Sequence, residues 1–552
     1  MKRIIIYFLL ILSAVATYAQ PAAVQNVRKS VFQLKSYNAK GDIIATANGF
    51  FINDNGDAVS LWTPFNGAHR ATIEDADGNT HPVETIYGAN ELYDVCKFHV
   101  NMKSRQPVLA SKPASNGTKA WIVGKGSTAR NCGIKSTESF FGKYCYYLLD
   151  CSIDQMLDGC PVVNQNGQVL GVAKSGVNHG SATAIDINFA TSFQMENAIL
   201  ANDATLRSTN IRIAYPDDKE QALAVLLLAG QRSDSITRIA YIKDFIGKFP
   251  SEIEGYSTLA EEELKSQNFQ RADDIIKQAF AKVKNKDEVH AALSKLIYQK
   301  HAYFPNQPFA EWTLDKALEE AHAAYRIQPL LPYRHQEAQL LFAKGNYQTA
   351  YDKFMELTKT EIRSGELFYE ASQCKQALQA PSTEYIALLD SAIQVEGTTS
   401  GTYLPPYLLA RADAWNQSGD YRKAVADYNL YDSIMGGRPL ISDFYLVRSQ
   451  CEMQIHQYQQ ALNDINRAII VDRANYLLWA QKASLHLRFK QYEEAIRSAD
   501  ACLLIEEQNL DALLIKGIAL CQTKRKKEGL PLLERVRQLG DSRADEYIKK
   551  FK

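Results

Sequence analysis

The stretch IDQMLDGCPVVNQNGQVLGV, residues 153–172, gives the clearest indication of the fold of the first part of the chain. It begins with a small-residue loop around Gly159 and Pro161 and continues into an apolar run. It then turns at Asn166-Gly167 before a second apolar run. Two apolar runs joined by an Asn-Gly turn are typical of a β-hairpin. The stretch therefore predicts an elbow-like loop that leads into two paired strands.

The same pattern continues on both sides of this hairpin. Short apolar runs, several of them alternating with period two, recur over residues 25–200 and are separated by turn residues every 8–15 positions. Such spacing is typical of a β-sandwich or a pair of barrels. From about residue 210 the pattern becomes helical and rich in Ala, Leu, Glu, Lys and Gln, so the fold should change near residues 203–216.

The helical region repeats an aromatic residue followed three positions later by alanine. Tyr421, Tyr458 and Tyr492 begin three such copies and stand 37 and 34 residues apart. Other copies are GNYQTAYDKF (345–354), QNFQRADDII (268–277) and the degenerate RKKEGLPLL (525–533). A period near 34 with this core resembles the tetratricopeptide repeat, a helix–turn–helix unit. The resemblance implies an all-α superhelix over residues 212–552, in which the aromatic ends one helix and packs beside the small alanine of the next.

A repeat array of this kind also implies a groove that binds protein or peptide partners. Tyr407, Arg411, Tyr445 and Arg448 are candidates for its surface. The other interpretation of the same residues is packing between helices, because aromatic residues at helical spacing usually fill cores.

Length and charge limit the possible classes of protein. A chain of 552 residues exceeds the usual size of one domain and predicts two or three. Lys+Arg and Asp+Glu both number 62, so the net charge is zero. A neutral chain lacks the electrostatic basis of nucleic-acid binding, and we expect no nucleic-acid partner.

The N-terminus has the layout of a secretory signal peptide. Lys2 and Arg3 precede an apolar run that begins at Ile4, and small residues follow up to Ala19. We expect cleavage of residues 1–19 and no transmembrane span afterwards. The mature chain is then exported to a periplasm, a cell envelope or the extracellular space.

Eight of the nine cysteines fall into two groups, and Cys96 stands apart from both. Cys132, Cys145, Cys151 and Cys160 lie within 29 residues, so one or two disulfides are plausible there in an exported protein, with the pairing open. The C-terminal cysteines fall inside helical patterns and are expected to be buried. No pair has C-x-x-C spacing and no histidine lies at ligand spacing, so we expect neither a metal nor another cofactor.

Three segments of the β region together resemble the trypsin-like serine proteases of the HtrA type, over about 170 residues. They are ANGFFINDNGDAVSLWTPFNGA (47–68), ELYDVCKFHV (91–100) and the elbow at 153–172. The resemblance implies an all-β double barrel over residues 20–205. It places the catalytic histidine position at Thr63, the aspartate at Asp94 and the serine at Asp158.

Two further positions follow from the same resemblance. A glycine of the family's oxyanion hole falls on Met156, and INFAT (187–191) is similar to the last strand beside the substrate cleft. The double barrel and the helical array make the chain a multidomain protein.

The replacements remove the chemistry that the fold usually supports. A serine-protease mechanism needs a nucleophile and a base within hydrogen-bond reach. Thr63 is no base near neutral pH, and the Asp158 anion would lie where oxyanion charge must develop. We therefore predict a pseudoprotease domain without catalytic residues, in which Asp94 is a buried carboxylate bonded to Thr63 or to backbone amides.

Two catalytic alternatives remain open at this point. Cys160 lies two residues beyond the nucleophile position and could pair with His69, His81 or His99, although no spacing provides an adjacent base. Asp94 and Asp158 could instead share a proton as an aspartyl-type pair.

The functional hypothesis is an exported, non-catalytic scaffold that binds protein or peptide partners through its repeats, with a cleft that still accepts an extended peptide by strand addition. The alternative is a serine-type endopeptidase whose repeats target substrates. A weaker possibility is a structural part of an envelope complex. The sequence identifies neither the partner nor the oligomeric state.

Overall fold

The computed structural model describes residues 21–126, 129–177, 180–399, 404–438 and 440–552. Two β-barrels are followed by a long all-helical region, which confirms the predicted all-β double barrel and helical repeats. The predicted signal peptide, residues 1–19, lies outside the described residues. Within the described ranges, no helix has both the length and the apolar character needed to span a membrane.

The strands of the two sheets all lie in the first part of the chain. In chain order they are β1 (Val31–Tyr37), β2 (Ile43–Phe51), β3 (Asp57–Ser60), β4 (Arg70–Glu74), β5 (Thr80–Pro82), β6 (Thr85–Asn90), β7 (Val95–His99), β8 (Val108–Leu109), β9 (Lys119–Val123), β10 (Ala129–Phe140), β11 (Tyr144–Leu149), β12 (Pro161–Asn164), β13 (Gln168–Lys174), β14 (Thr183–Asp186) and β15 (Arg212–Ile213).

The first barrel is a sheet of eight strands in the order β15-β6-β7-β3-β2-β1-β4-β5. Its core contains large apolar side chains, among them Phe32, Trp62, Phe65 and Phe98, which are at most 2% exposed. These residues come from strands with period-two alternation and from the turn after β3, so the pattern that predicts the strands also supplies the core.

The second barrel closes on itself. Its strands run β12-β9-β10-β11-β14-β13, and β13 returns to pair with β12, while β8 adds to β13. The β12–β13 hairpin is the one predicted around Asn166-Gly167, with Pro161 opposite Val172. Because the elbow leads directly into β12, the closure of this barrel fixes where the elbow lies.

Two of the clustered cysteines lie side by side on neighbouring strands of this barrel, Cys132 in β10 and Cys151 just after β11. All nine cysteines are free thiols, and the Cys132 and Cys151 side chains are hydrogen-bonded to each other. They continue the register in which Ile134 pairs with Leu149. Among the four, this is the pair whose positions suit a disulfide.

The helices of the chain begin with short elements around the barrels and continue as antiparallel pairs. In chain order they are α1 (Ala22–Val27), α2 (Ile187–Thr191), α3 (Ala198–Ala201), α4 (Ala204–Arg207), α5 (Lys219–Arg232), α6 (Ser235–Lys248), α7 (Ile253–Lys265), α8 (Phe269–Lys282), α9 (Lys286–Tyr303), α10 (Leu314–Ile327), α11 (Leu331–Ala343), α12 (Tyr347–Leu357), α13 (Gly365–Ala377), α14 (Ser382–Thr399), α15 (Leu404–Ser418), α16 (Tyr421–Ile434), α17 (Ser442–Gln454), α18 (Tyr458–Val471), α19 (Tyr476–Arg488), α20 (Tyr492–Ile505), α21 (Leu510–Gln522), α22 (Lys526–Gln538) and α23 (Arg543–Phe551).

The repeated aromatic residues begin helices instead of ending them. Tyr421, Tyr458 and Tyr492 are the first residues of α16, α18 and α20. Our expectation that the aromatic ends the preceding helix was therefore wrong, because the turn comes just before it. Three residues further on, Ala461 and Ala495 are fully buried, as the repeat pattern predicts.

The candidate groove residues are mostly packing residues. Tyr407 and Tyr445 are each 6% exposed and Arg448 is 4% exposed. Arg411 is held by Asp427 through two hydrogen bonds of 2.7 Å. The interpretation as contacts between helices therefore applies to these residues.

The division into independently folding domains stays a prediction, but the segment after residue 205 is not a bare linker. Compact units of the chain are Met1–Asn285 and Lys286–Lys552. Strand β15 pairs in parallel with β6, and Leu206, Ile211 and Ile213 are buried in the core of the first barrel. The Ile213 N–H also donates to the Tyr241 hydroxyl at 2.8 Å.

A fragment that ends at residue 205 should consequently be less stable than one that ends at 285. It loses a strand and three buried aliphatic side chains, each worth about 1.5–3 kcal/mol of burial. We expect the 20–205 fragment to melt several degrees below the 20–285 fragment in circular dichroism. Equal melting temperatures would show that this segment adds nothing to the barrel.

The repeat packing predicts a contrast between two substitutions in α20. Ala495→Leu should overfill a tight contact and cost about 1–3 kcal/mol. Glu493→Ala removes an exposed ion pair with Arg525 and should cost less than about 0.5 kcal/mol. Thermal unfolding of the full chain measures both. An unchanged midpoint for Ala495→Leu, together with a lower one for Glu493→Ala, would contradict the helical register.

Candidate functional site

The three triad positions lie on loops at the ends of strands. Thr63 begins a short 3-10 turn, Thr63–Phe65, just after β3. Asp94 immediately precedes β7, and Asp158 follows another 3-10 turn, Gln155–Leu157, before β12. The fold therefore brings residues from both barrels to one place, as the sequence resemblance implies.

The Asp94 carboxylate is buried and holds Thr63. Asp94 is 4% exposed and its backbone has a φ of 50°, in the left-handed region. The N–H of Thr63 donates to Asp94 Oδ1 at 2.7 Å, and the Thr63 hydroxyl donates to the same oxygen at 2.9 Å. The expected bond between Asp94 and Thr63 is thus present, with a threonine that offers no base.

A lysine that the sequence reasoning missed completes this group. Lys174 Nζ lies 2.7 Å from Asp94 Oδ2, at the end of β13. The contact is an ion pair without hydrogen-bond geometry, so Asp94 Oδ2 has a cation beside it but accepts no hydrogen bond within the described residues. The only sequence signal was a basic residue at the end of the second apolar run of the hairpin, which does not by itself indicate a contact with Asp94.

Both oxygens of the Asp158 carboxylate accept hydrogen bonds from Ser175, the residue that follows Lys174. The Ser175 N–H donates to Asp158 Oδ1 at 2.6 Å, and the Ser175 hydroxyl donates to Oδ2 at 3.0 Å. Burial raises the pKa of Asp158, and the nearby Asp94 charge acts in the same direction. The Ser175 donors and the Lys174 ammonium oppose that rise in pKa. Asp158 is therefore a loop anchor with satisfied oxygens.

The backbone N–H of Asp158 in the elbow is not available to stabilise an oxyanion. The N–H of Asp158 donates to the Gln155 carbonyl at 3.0 Å, which closes the 3-10 turn. In a working site this N–H would have to point at the developing oxyanion. Met156, at the family's glycine position, is 84% exposed. The Asp158 N–H could donate to an oxyanion only if this 3-10 turn opened.

The elbow is fastened to the first barrel by Asn48 of β2. The Asn48 N–H donates to the Asp158 carbonyl at 2.8 Å. The Asn48 side-chain amide donates to the Met156 carbonyl at the same distance, 2.8 Å. The loop is thus held to the first barrel through backbone oxygens, in addition to the contact of the Asp158 side chain with Ser175.

The alternative Cys–His pair is not assembled. Cys160 is fully buried, and this burial raises the pKa of its thiol. The three candidate bases have other partners: His99 contacts Asp57 at 2.9 Å, His81 contacts Asp75 at 3.1 Å and His69 contacts Asn210 at 3.3 Å.

The aspartyl-type alternative lacks its shared proton. Asp94 is bonded to Thr63 and Lys174, whereas Asp158 is bonded to Ser175. Each carboxylate has its own set of donors, and an ammonium lies on one of them.

An aromatic cluster adjoins the site. Tyr93, next to Asp94, stacks on Phe140 with ring centroids 4.4 Å apart, and Phe140 packs edge-on against Phe189 at 5.0 Å. Phe189 lies in INFAT, which forms the helix α2 and not the strand that the resemblance implied. The physical reason is a helix cap, because the Asp186 side chain accepts the Asn188 N–H. Phe141, on the same cluster, is 70% exposed.

Comparison with known proteins gives partial likenesses to each region. No protein-family model matches the chain. It is 24% identical over 197 residues to "Serine protease HTRA1" of Xenopus laevis, a match that covers 33% of this chain and 43% of that protein. It is 23% identical over 225 residues to "DnaJ homolog subfamily C member 7" of Homo sapiens, covering 39% and 44%. The chain spans less than half the length of these curated relatives.

Solved structures give a similar result for the β region. The serine endoprotease from Yersinia pestis is 17% identical, with 34% of this chain and 65% of that chain covered and a TM-score of 0.28. The Rv3671c protease from M. tuberculosis is 18% identical, covering 31% and 82%, also with a TM-score of 0.28. The two barrels and the helix pairs, together with the sequence likenesses to the two curated relatives, support a protease-like domain followed by helical repeats.

The site predicts a pH-dependent effect of Lys174→Met. Loss of the ammonium leaves the buried Asp94 carboxylate with only the Thr63 donors, at a cost of about 1–3 kcal/mol at pH 7, reduced because Lys174 is partly exposed. It also raises the pKa of Asp158 further above 3.8. A raised carboxyl pKa costs the folded state more as the pH rises past its unfolded value. The loss of stability should therefore be larger at pH 7 than at pH 4.

Urea unfolding of the full chain at the two pH values measures this effect. Lys119→Met, which changes an exposed strand lysine, is the matched control and should change stability by less than about 0.5 kcal/mol at both. An equal loss for Lys174→Met at pH 4 and pH 7 would contradict the assigned charge network.

Proposed function

We propose that the chain is an exported, non-catalytic scaffold that binds protein or peptide partners through its repeats and its protease-like cleft. One observation carries the proposal. Every triad position is engaged in a structural bond: Thr63 and Lys174 with Asp94, and Ser175 with Asp158. Thr63 and Asp158 supply neither the imidazole base nor the serine nucleophile of the ordinary mechanism, and the Asp158 N–H is used within the 3-10 turn.

The cleft retains features that suit binding without cleavage. Ser175 and Gly176 follow β13 as a short segment outside regular secondary structure, and Val177, in a 3-10 turn, is 87% exposed. An extended peptide could add beside such a segment, with backbone hydrogen bonds giving affinity and side-chain contacts giving specificity. The exposed Phe141 and Met156 provide apolar contact area at two of the neighbouring loops.

The second candidate is a serine-type endopeptidase, and the likeness to "Serine protease HTRA1" favours it. Fold similarity at this level does not establish activity, because unrelated functions share one fold. A covalent serine-hydrolase probe and a casein degradation assay on the mature chain separate the candidates. Stoichiometric labelling would overturn the scaffold proposal, and absence of both signals would remove the endopeptidase.

The site predicts that Asp158→Ser alone does not create a protease. The new hydroxyl would lie beside Ser175, which is no base, and the N–H of residue 158 would still close the 3-10 turn. We expect casein hydrolysis at the level of a buffer blank. Hydrolysis above that blank by the single variant would contradict the proposal.

The matched variant combines Thr63→His, Met156→Gly and Asp158→Ser. It restores the nucleophile, the base and the hole glycine together, and it tests whether the fold kept a usable geometry. Crosslinked co-purification of the mature full-length chain tests the scaffold role itself, and the expected result is a partner protein recovered in stoichiometric amounts.

A further inference from the structure

A polar cavity lies among α16, α17 and α18 of the helical region. Its volume is about 990 Å³, at the upper end of the range for ligand pockets. The charged residues that line it are Asp432 of α16, Arg438 of the following loop, Arg448 and Glu452 of α17, and Asp464 and Arg467 of α18. A cavity of this size is larger than one amino-acid side chain requires.

Four of these charges neutralise one another. Arg448 donates to both oxygens of Asp464, at 2.6 Å and 2.8 Å, and lies 3.0 Å from Asp432. Arg467 lies 3.2 Å from Asp432. Arg438 is exposed on its loop. The carboxylates of Asp432 and Asp464 therefore already have cationic partners.

Glu452 differs from the other acids in this cavity. It is 4% exposed, and its Oε2 atom accepts no hydrogen bond from any residue that the structure describes. Burial raises the pKa of Glu452 to about 7, with Asp464 adding to the rise and Arg448 and Arg467 opposing it. A buried acceptor without a donor costs stability, so its partner is expected to come from outside the chain.

The repeat packing does not require a glutamate here. The spacing of Tyr421, Tyr458 and Tyr492 places Trp415 and His486 at the equivalent positions of the neighbouring units. His486 is satisfied within its own unit, because its Nδ1 lies 2.7 Å from the Gln491 side-chain oxygen. The unit around Glu452 therefore carries an acceptor that the repeat itself does not use.

We propose that Glu452 binds the ammonium or guanidinium group of a lysine or arginine side chain in an extended partner peptide. The proposal rests on the scaffold function above and adds the chemistry of one partner residue. Charge-assisted hydrogen bonds of this kind are the strong ones in proteins. Gln457, Gln460 and Asn463 line the same cavity and offer amide groups to a peptide backbone. They favour a peptide over a free amine.

The test uses the mature full-length chain and a capped pentapeptide of alanine and serine with one central lysine. Calorimetry at pH 8 should detect its binding, and Glu452→Gln should weaken the affinity at least about tenfold. The same peptide with norleucine in place of lysine should not bind. Glu507→Gln, which changes an exposed glutamate, is the matched control and should bind like the wild type.

The pH dependence of peptide binding and of thermal stability, and the binding of a small amine, provide independent readouts. Peptide binding should weaken at pH 5, where Glu452 is protonated. Because its folded pKa lies above the unfolded value of 4.5, Glu452 costs stability as the pH rises towards 7. Without ligand, Glu452→Gln should thus melt above the wild type at pH 8 and level with it at pH 5, which also verifies that the variant folds.

Three results would overturn the proposal. Equal peptide affinity of the wild type and Glu452→Gln would show that the peptide binds at another site, and the scaffold function would be unaffected. Binding of butylammonium chloride without binding of the peptide would make this a small-amine site. Absence of binding by both would remove the site, while co-purification of a partner would still support the scaffold.

Discussion

Gly159 is the residue on which the position of the elbow depends. Its φ is +79°, and a Cβ added to it would lie 2.0 Å from the carbonyl oxygen of Asn48. That oxygen is also held by the Ser60 hydroxyl at 2.5 Å, so it cannot easily move away. A residue other than glycine would force the two barrels apart at this point. The elbow therefore keeps its shape for reasons of close packing around Gly159.

The buried Asp94 carboxylate sets a second constraint. This carboxylate is 4% exposed, and unpaired buried charge is costly. Lys174 supplies a cation from β13, and Thr63 supplies two hydrogen-bond donors. Thr63 and Lys174 therefore form one arrangement that stabilises the buried Asp94 carboxylate.

Much of the fold follows from local pattern, whereas the decisive contacts of the site do not. Strand β1 has the bounds of the apolar run VFQLKSY, and Ala461 and Ala495 are buried as the repeat pattern predicts, because period and turn residues act over short distances. The same pattern did not show on which side of the turn the repeated tyrosines lie, and they begin helices instead of ending them. The strand β15 was missed because two residues carry no period. INFAT was assigned to a strand by resemblance, although Asp186 before it is a typical helix cap. Lys174 contacts Asp94 across 80 residues of sequence, and no local pattern indicates such a pair.

The repeats show how a buried ion pair can serve packing in one unit and be absent from the next. Arg411 pairs with Asp427, and Arg448 pairs with Asp464, each across the two helices of its unit. In the following unit the equivalent positions, 34 residues on, hold Lys482 and Ser498, and burial lowers the pKa of Lys482. The array thus tolerates loss of the pair, since neighbouring units share the apolar core. Glu452 is likewise buried without such a pair, and the proposed basic side chain of a partner peptide would supply the donor that its unit lacks.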